Sequence, residues 1–455
     1  MTNQKRIFDY YSIIPHPTEP KLLMQEVNIG WSLPHFIPSK THFAHAYLIN
    51  EAMQQQLGID VTVLSCIYND LDPVLNRVNR VFALANHNPD WQPTARYRWI
   101  DRSELNKLAL AVPEHYPILL NWFQEIQDPT ISSQRVPWAR IGWYKKANDW
   151  IYEQFKNLGL TSISRSEQLR SWSTSCILKF NTTAGNIYFK AMPSALKNES
   201  LFTKALGEYY PENTPHILSA NHEQHWMLMR DFGGTPLSEM AEISYWEEAL
   251  RLFAKIQIDS VDRVDDLLSL GWCDRKIERL PFDIDLLLAD TAALLAGDFI
   301  IIEESDVEEL RALIPQFKVK CEKLASYNLP QTLVHGDFWA KNVVVNHNNY
   351  IYIDWPNSAI SHPFFDIVNF LYIEKYVPDL PGVRDRLRNV YLEQWTSYEP
   401  MERLLEAFEL SQTLGMLYQA ITYYRIVSQL EPLAKWEIEV AVPLCLEKLL
   451  IFHRR

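Results

Sequence analysis

A stretch in the second half of the chain places two aspartates and an asparagine in an order that suits phosphoryl transfer. Asp337 comes first, Asn342 follows five residues later, and Asp354 stands twelve residues beyond that. The first carboxylate can orient an attacking hydroxyl and accept its proton, and an amide oxygen and a second carboxylate are hard ligands for Mg²⁺. We therefore predict Asp337 as the catalytic base and Asn342 and Asp354 as metal ligands. His335 is predicted to fix the loop through a ring hydrogen bond.

A strand hairpin has to bring these residues together. The residues of Val343–Asp354 predict two short strands that turn at Asn346–Asn349. Asn342 then lies at the start of the hairpin and Asp354 at its end, so that both can reach one metal ion. Helical periodicity predicts the surrounding helices, over Tyr245–Ile256, Asp283–Ala296, Asp306–Leu324, Val383–Ser397, Met401–Val427 and Trp436–His453.

The chain before this helical region predicts a small, strand-rich lobe. Apolar residues recur on one face of Trp138–Leu158, which predicts a helix that Gly159 stops. Three strands, a helix and a further strand are then predicted, over Ser164–Leu169, Ser175–Asn181, Asn186–Ala191, Asn198–Glu208 and His225–Arg230. A small lobe, a short hinge and a large helical lobe are the layout of a bilobal protein-kinase-like fold, of class α+β, in which nucleotide binds in the cleft between the lobes.

The motifs of the helical region closely resemble those of the aminoglycoside phosphotransferase and choline kinase-like family. That family carries H-G-D-x4-N, a hairpin, I/F-D-W/F and a helix that opens with H-P-x-x-D. This sequence has His335–Asn342, Ile353–Trp355 and His362–Asp366 in that order. The resemblance implies the roles given above and adds Asp366 as support for the catalytic loop from behind. It also implies ATP or GTP as donor, Mg²⁺ as metal, and a hydroxyl of a small molecule (aminoglycoside-like, sugar or amino alcohol) as acceptor.

The small lobe of such a fold should supply a lysine for the nucleotide phosphates and a glutamate that pairs with it. Lys190 lies between Phe189 and Ala191 in the third of these strands, which indicates a buried stem. Glu199 opens the following helix, and the resemblance favours it because family members place their glutamate early after the strand. Glu208, farther along this helix, stays open as an alternative partner.

Other nucleotide contacts are predicted from backbone positions. The turn Ser171–Ser175 joins the first two strands of the lobe and contains no glycine. Its N–H groups and the hydroxyls of Ser173 and Ser175 are candidates to meet phosphate, although an ordinary serine-rich turn has the same pattern. The hinge is predicted over Met227–Asp231, where the backbone around Met229 should hydrogen-bond a purine edge.

Two departures argue against a protein kinase. The phosphate-covering turn has no glycine-rich motif, and only seven residues separate Asp354 from His362, which leaves no room for a long activation segment. A small-molecule kinase is therefore the predicted enzyme. A non-catalytic module that binds a nucleotide or another ligand through a kinase fold is the alternative, and the intact set of base, metal ligands and lysine favours the active enzyme.

The N-terminal region predicts a separate α/β domain. A helix ends at Gly58. Three strands are predicted after it, over Val61–Tyr68, Arg77–Ala85 and Ala95–Ile100, and an amphipathic helix over Glu114–Ile126. This order resembles the Nudix hydrolase fold, in which the helix carries the Mg²⁺-binding glutamates of R-E-x-x-E-E-x-G. Aligned on Gly58, this chain has Ala52, Gln55 and Gln56 in the glutamate positions. The resemblance therefore implies a catalytically silent Nudix-like domain; an unrelated α/β domain is the alternative.

Composition limits the cellular setting and the partners. A net charge of −13 disfavours nucleic acid, because phosphate backbones need a basic face. The five cysteines are scattered, which predicts neither a disulfide framework nor a zinc site. The lack of a signal-like segment and of long apolar runs predicts a cytoplasmic protein with no membrane partner; oligomeric state has no sequence signal.

The predicted domains are 1–127 (Nudix-like), 128–137 (linker), 138–234 (kinase small lobe with its leading helix) and 235–455 (kinase helical lobe).

Overall fold

A computed structural model of the chain describes residues 6–127, 132–297, 301–373 and 376–454. These residues divide into two compact units. The first unit runs to Ser194 and includes Leu430–Ala434, and the second is formed by Ala195–Gln429 and the chain from Lys435 onward. Residues 128–131 of the predicted linker lie outside the described residues.

The first unit holds the N-terminal region together with the first strands of the predicted small lobe. Its strands are β1 (Ile7–Ile13), β2 (Leu22–Val27), β3 (Gly30–Ser32), β4 (His35–Phe36), β5 (Val61–Asp72), β6 (Arg77–Asn86), β7 (Tyr97–Ile100), β8 (Glu167–Trp172), β9 (Ser175–Thr182) and β10 (Gly185–Ala191). Its helices are α1 (Ala46–Leu57), α2 (Arg102–Leu105), α3 (His115–Gln127) and α4 (Trp143–Asn157). Two sheets have the orders β4-β1-β6-β5 and β3-β2-β7, and β8, β9 and β10 pair antiparallel in sequence.

The predicted elements around Gly58 are confirmed. This residue ends α1 with a φ of 65° and donates its N–H to the carbonyl of Gln54, as a glycine cap does. β5 and β6 pair antiparallel over the predicted stretches. The structure adds β1, which lies in the middle of the sheet and runs parallel to β6. The sequence gives a weak signal for β1 because Asp9 and Ser12 are among its buried residues, which disturbs the hydrophobic alternation.

One strand of the predicted small lobe is displaced. It was expected over Ser164–Leu169, but β8 spans Glu167–Trp172. Its buried residues are the polar Gln168 and Ser171, which give no hydrophobic signal for the bounds of the strand. The other two strands, β9 and β10, are confirmed.

The second unit is mostly helical. Its strands are β11 (Ile217–Asn221), β12 (Trp226–Arg230), β13 (Thr235–Pro236), β14 (Cys273–Asp274), β15 (Thr332–Val334), β16 (Val343–Asn346), β17 (Asn349–Tyr352) and β18 (Ala359–Ser361). Its helices are α5 (Glu199–Tyr209), α6 (Ile243–Asp259), α7 (Val264–Ser269), α8 (Leu280–Ala289), α9 (Thr291–Leu294), α10 (Glu304–Ala312), α11 (Ile314–Ala325), α12 (Phe364–Val368), α13 (Val383–Glu393), α14 (Met401–Val427) and α15 (Ala441–His453). Small sheets have the orders β13-β16-β17 and β14-β18-β15, and a π-helical turn, Asn369–Ile373, continues α12.

Some helices are shorter than predicted. The helix expected over Asp283–Ala296 is interrupted at Asp290, whose side chain caps the start of α9. The helix expected over Asp306–Leu324 is interrupted before Pro315, which lies in the first turn of α11 and cannot donate a hydrogen bond to the turn before it. The helix expected over Trp436–His453 is reduced to α15.

A large apolar core in the second unit surrounds the predicted catalytic loop. Phe253 of α6 stacks on Phe338 with 3.9 Å between ring centroids, and Phe338 lies 4.9 Å from the ring of Phe370. These contacts anchor the chain directly after Asp337. Among the helices of the described ranges, none combines the length and apolar character that a membrane crossing requires.

Candidate active site

The predicted base stands where a buried strand emerges toward the surface of the second unit. β15 pairs antiparallel with β18, with Val334 opposite Ala359. His335 and Gly336, which follow β15, are buried, whereas Asp337 is partly exposed. The carboxylate is therefore presented by a backbone that the core holds in place.

Asp366, at the start of α12, holds that backbone. One carboxylate oxygen accepts the N–H of His335 at 2.7 Å, and the other accepts the N–H of Gly336 at 3.0 Å. Gln257 donates its side-chain amide to the first oxygen at 3.2 Å. Burial raises the pKa of the Asp366 carboxyl to about 7, although the two backbone N–H groups act in the opposite direction. The structure thus places Asp366 behind the loop, at the position that the sequence predicted.

Gly336 is required by the close approach of another chain segment. Its φ is 76°, and a Cβ atom at this position would lie 2.2 Å from the carbonyl oxygen of Asn357. A side chain would therefore be strained and would also overlap backbone atoms. The H-G-D sequence has a glycine in its centre for this steric reason.

His335 fixes the loop through both ring nitrogens. Its Nε2 lies 2.9 Å from the carbonyl oxygen of Ile353, and its Nδ1 accepts the N–H of Asp337 at 3.4 Å. Since a carbonyl only accepts, these partners assign the proton to Nε2 of a neutral imidazole. Its ring centroid lies 4.4 Å from that of Trp355. The ring thereby ties the loop to the strand end that precedes Asp354.

Asn342 joins the base to the hairpin. Its Nδ2 donates to the backbone carbonyl of Asp337 at 2.9 Å and lies 3.3 Å from Asp337 Oδ2. Its backbone carbonyl accepts the N–H of Ile353 at 2.9 Å. The hairpin of β16 and β17 that the sequence predicted over Val343–Asp354 is confirmed, with Val343 opposite Tyr352. It brings Asn342 next to the residue that precedes Asp354.

The side chains at this hairpin fit a divalent cation. Because the amide nitrogen of Asn342 is bound to Asp337, its oxygen is the atom available to a metal. Asp354 is partly exposed and has a φ of 72°, which turns the chain sharply at the end of the hairpin. Within the described ranges, no group of three or more His, Cys, Asp or Glu side chains could hold a metal. A cation bound by Asn342 and Asp354 would thus complete its shell with phosphate and water oxygens, as Mg²⁺ does.

Sequence reasoning missed the residues that support this loop from other helices. Gln257 of α6 is oriented by the Tyr391 hydroxyl, which donates to its Oε1 at 2.6 Å. Asn369 donates its side-chain amide to the carbonyl of Phe338 at 2.9 Å. No motif marks these residues, because each is defined only by the helix packing that brings it to the loop. Trp339, two residues after Asp337, is half-buried, and its ring centroid lies 5.4 Å from that of Tyr376.

The residues predicted to contact nucleotide are spread over both units. In the first unit, Lys190 is buried on β10, Ser173 lies in the turn between β8 and β9, and Ser175 is the first residue of β9. Ser175 Oγ accepts the indole N–H of Trp172 at 2.9 Å. Their roles toward phosphate remain predictions.

In the second unit, the two candidate glutamates differ in burial. Glu199 is the first residue of α5 and is buried, whereas Glu208 in its last turn is exposed. A buried carboxylate needs a partner, which favours Glu199 over Glu208 for the predicted pairing with lysine.

Met229 lies on β12, buried and opposite Ile217 of β11; its hinge role remains a prediction.

Comparisons with known proteins agree with the chemistry of the loop. Residues 205–403 match the model of the Phosphotransferase enzyme family. This segment is less than half of the chain, and it includes Asp337, Asn342, Asp354 and Asp366. A search of curated proteins found no match to the sequence.

Several solved structures resemble the chain weakly. Choline kinase from Cryptosporidium parvum Iowa II is 14% identical with a TM-score of 0.44, covering 64% of this chain and 89% of its own. Ethanolamine kinase from Plasmodium vivax is 12% identical with a TM-score of 0.46, over 67% and 84%. Choline kinase from Streptococcus pneumoniae is 12% identical with a TM-score of 0.44, over 66% and 99%.

Proposed function

We propose that the chain is a small-molecule phosphotransferase that transfers the γ-phosphate of ATP, or of GTP, to a hydroxyl group. One observation carries the proposal. The loop that presents Asp337 is fixed from behind by the two backbone hydrogen bonds to Asp366, and Asn342 is bound to the base itself. The match of residues 205–403 to the Phosphotransferase enzyme family supports this reading.

The proposed chemistry assigns each side chain one task. Asp337 orients the acceptor hydroxyl and takes its proton as the oxygen attacks phosphorus. The oxygens of Asn342 and Asp354 hold Mg²⁺, which when bound shields the negative charge of the phosphates. Asp366 and His335 keep the base in position and touch no substrate. Phosphoryl transfer depends mainly on positioning and charge stabilisation, so this rigid support is part of the catalyst.

The nucleotide contacts are proposed from the sequence pattern. Lys190 binds the α- and β-phosphates, with Glu199 as the residue that positions it. The turn that contains Ser173 and Ser175 covers the phosphates, and the backbone around Met229 binds the purine. The acceptor is a hydroxyl of an aminoglycoside-like molecule, a sugar or an amino alcohol.

The test is a turnover assay with a matched variant. The full chain is incubated with Mg²⁺ and ATP or GTP and with panels of aminoglycosides, sugars and amino alcohols, and phosphorylated product is detected by mass spectrometry. Asp337→Asn should lower turnover by ~10²–10⁴-fold while the thermal shift caused by nucleotide is retained. Wild-type activity in this variant would refute the role of Asp337. Nucleotide binding without turnover of any acceptor would favour a ligand-binding module, and absence of any nucleotide-dependent shift would refute nucleotide use.

A further inference from the structure

The N-terminal region and the predicted phosphate-covering turn belong to the same compact unit and share buried hydrogen bonds. β5 is the edge strand of the sheet β4-β1-β6-β5, so its outward N–H and C=O groups need partners. The residues that bind them come from β8, the strand that leads into the turn at Trp172–Ser175. The N-terminal region is therefore attached to the strand that leads into the turn.

Gln168 of β8 replaces a neighbouring strand along the edge of β5. Its Nε2 donates to the carbonyl of Val63 at 2.9 Å, and its Oε1 accepts the N–H of Val63 at 2.8 Å. Asn50 of α1 donates to Oε1 at 3.2 Å. The side chain is only 4% exposed, so removing the amide would leave the N–H of Val63 buried without this partner and would take one hydrogen bond from its carbonyl.

Ser171, at the other end of β8, binds the same stretch of β5. Its Oγ lies 3.0 Å from the carbonyl oxygen of Val63 and 3.3 Å from that of Leu64. Its backbone N–H donates to the carbonyl of Ala44, just before α1, at 3.1 Å. The serine is 3% exposed, so these bonds are shielded from water.

An irregularity in β8 makes this double attachment possible. Gln168 and Ser171 are three positions apart, and in a regular strand they would point to opposite faces. The pairing of β8 with β9 shifts register at Leu169, so that one residue is inserted. β5 has its own shift at Leu64, beside the groups that are bound. Such bulges re-aim side chains, and here both buried polar residues face β5.

The turn itself is fixed by its aromatic residue. Trp172 donates its indole N–H to Ser175 Oγ, and its carbonyl accepts the indole N–H of Trp138, each at 2.9 Å. Its ring lies 6.1 Å from the rings of His42 and Phe43, which belong to the segment before α1. The turn is therefore held both by its strands and by the N-terminal region.

A glycine-free turn depends on such support. A glycine-rich loop can adopt many backbone conformations and close on phosphate after it binds. The turn at Ser171–Ser175 has no glycine, so its N–H groups can meet phosphate only if the attached strands already place them correctly. Fixing donors in advance lowers the cost of ligand binding.

We propose that the N-terminal region is a positioning domain for the phosphate-covering turn, and that Gln168 and Ser171 are the residues through which it sets nucleotide affinity. The proposal rests on the proposed function. It assigns the N-terminal region a task that requires no carboxylates on α1.

The experiment compares two tether variants with one matched control in the full chain. Gln168→Met removes the amide at nearly constant volume, and Ser171→Ala removes one hydroxyl and serves if the first variant fails to fold. Ser32→Ala is the control, since Ser32 is also a buried serine of this region, and its hydroxyl donates to the neighbouring carbonyl of Leu33, away from β8. Amide hydrogen exchange of the turn and the dissociation constant of Mg²⁺-ADP are measured for each protein.

We expect Gln168→Met to speed exchange across residues 172–175 and to weaken Mg²⁺-ADP binding ~10-fold, and Ser171→Ala to weaken it ~3-fold. In turnover the KM for ATP should rise while kcat changes less than ~2-fold, because the base and metal ligands are untouched. Ser32→Ala should match wild type in all readouts. If Gln168 and Ser171 only stabilised the fold, the variants would have a lower melting temperature, but the KM for ATP would not rise at a nearly constant kcat.

Three results would overturn the proposal. Unchanged exchange in the turn of both tether variants would show that the bonds do not position it. Faster exchange with unchanged Mg²⁺-ADP affinity would separate the turn from nucleotide binding while leaving the proposed function intact. Failure of the wild-type chain to bind nucleotide would refute the proposed function, and the inference with it.

Discussion

The loop after β15 lies within the segment that matches the Phosphotransferase enzyme family, whereas α1 lies outside it, and the side chains of the two regions differ in kind. In the loop, the predicted residues are joined by hydrogen bonds. Asp366 accepts the backbone N–H groups of His335 and Gly336, and Asn342 donates to Asp337. In α1, the predicted cap at Gly58 is present, and Ala52, Gln55 and Gln56 occupy the positions at which the predicted Nudix resemblance would require glutamates.

This difference shows what a chemical site requires beyond a fold. Asp366, Gln257 and Asn369 are buried polar residues that hold the predicted catalytic loop. Burying a polar group destabilises the fold unless the group is hydrogen-bonded. The buried residues of α1 are the apolar Ala46, Ile49 and Met53. The loop thus holds the partly exposed Asp337 in place through buried polar bonds, whereas α1 buries apolar side chains.

Among the comparisons of the loop with α1, the largest effect is expected from Asp354→Asn. Asparagine tolerates the positive φ of 72° at this position, so the fold should persist while a neutral amide binds Mg²⁺ more weakly than a carboxylate. We expect turnover to fall by ~10²–10³-fold and half-saturation to move to higher Mg²⁺ concentration. A Mg²⁺ titration of initial rates measures both.

The matched control for Asp354→Asn lies on α1. Glu51→Gln also removes one carboxylate, from an exposed residue of α1. It should leave the Mg²⁺ titration unchanged. If Asp354→Asn retained the wild-type titration, Asp354 would not be a metal ligand.

Gly336→Ala against Gly58→Ala separates steric overlap from backbone strain. Both glycines have positive φ, but a Cβ at position 336 meets the Asn357 carbonyl at 2.2 Å, and a Cβ at position 58 meets nothing within 4 Å. We expect Gly58→Ala to cost about 1 kcal/mol of unfolding free energy with normal turnover. Gly336→Ala should cost more and also reduce turnover at least ~10-fold, because the loop must shift.

Chemical denaturation with parallel rate measurements checks this pair. Equal losses of stability in the two variants would show that the approach of Asn357 does not constrain the loop. Full activity in Gly336→Ala would show that the loop tolerates displacement.

The features that sequence predicted well are local ones. The spacing of His335, Asp337, Asn342 and Asp354 can be seen directly in the sequence. The hairpin that turns at Asn346–Asn349 can be predicted from strand propensity on both sides of a polar turn. The glycine cap at Gly58 is likewise a property of neighbouring residues. Local signals of this kind survive whatever packs around them.

The features that sequence missed depend on contacts between distant residues. Gln257 contacts Asp366 across 109 positions of the chain, and Gln168 contacts Val63 across 105. A glutamine on a helix or strand is ordinarily a surface residue, so no pattern marks it as a buried support. The displaced β8 has the same origin, because its buried residues, Gln168 and Ser171, bond to the distant Val63. The break at Asp290 is instead local, since this side chain accepts the N–H of Ala293.

Asp366→Asn tests the support of the loop with an intermediate effect. An asparagine has one oxygen to accept the N–H of His335 or Gly336, and its amide would oppose the other donor. We expect turnover to fall ~10-fold through loss of loop position rather than of a reacting group. The melting temperature should fall as well, because a buried backbone N–H loses its partner.

The same variant tests the pKa of Asp366. Burial raises that pKa from 3.8 to about 7 in the folded chain, so between these values the folded state keeps a proton that the unfolded state releases. The contribution of Asp366 to stability therefore falls as pH rises through this window and levels off above it. Unfolding free energies from pH 5 to 8 should show the difference between wild type and Asp366→Asn decreasing with pH. A difference that grew with pH would mean that the folded chain lowers this pKa.

The smallest effect is expected from Gln55→Glu on α1. The change restores one carboxylate of the Nudix pattern at an exposed position, but positions 52 and 56 still hold Ala52 and Gln56. One carboxylate on a helix surface binds Mg²⁺ weakly, so nucleoside diphosphate hydrolysis should stay undetectable in the variant as in wild type. Stability should change by less than ~0.5 kcal/mol and phosphotransferase turnover should be unaffected. Measurable Mg²⁺-dependent hydrolysis in either protein would give α1 a metal site of its own, and the contrast between a reactive loop and a packing helix would no longer hold.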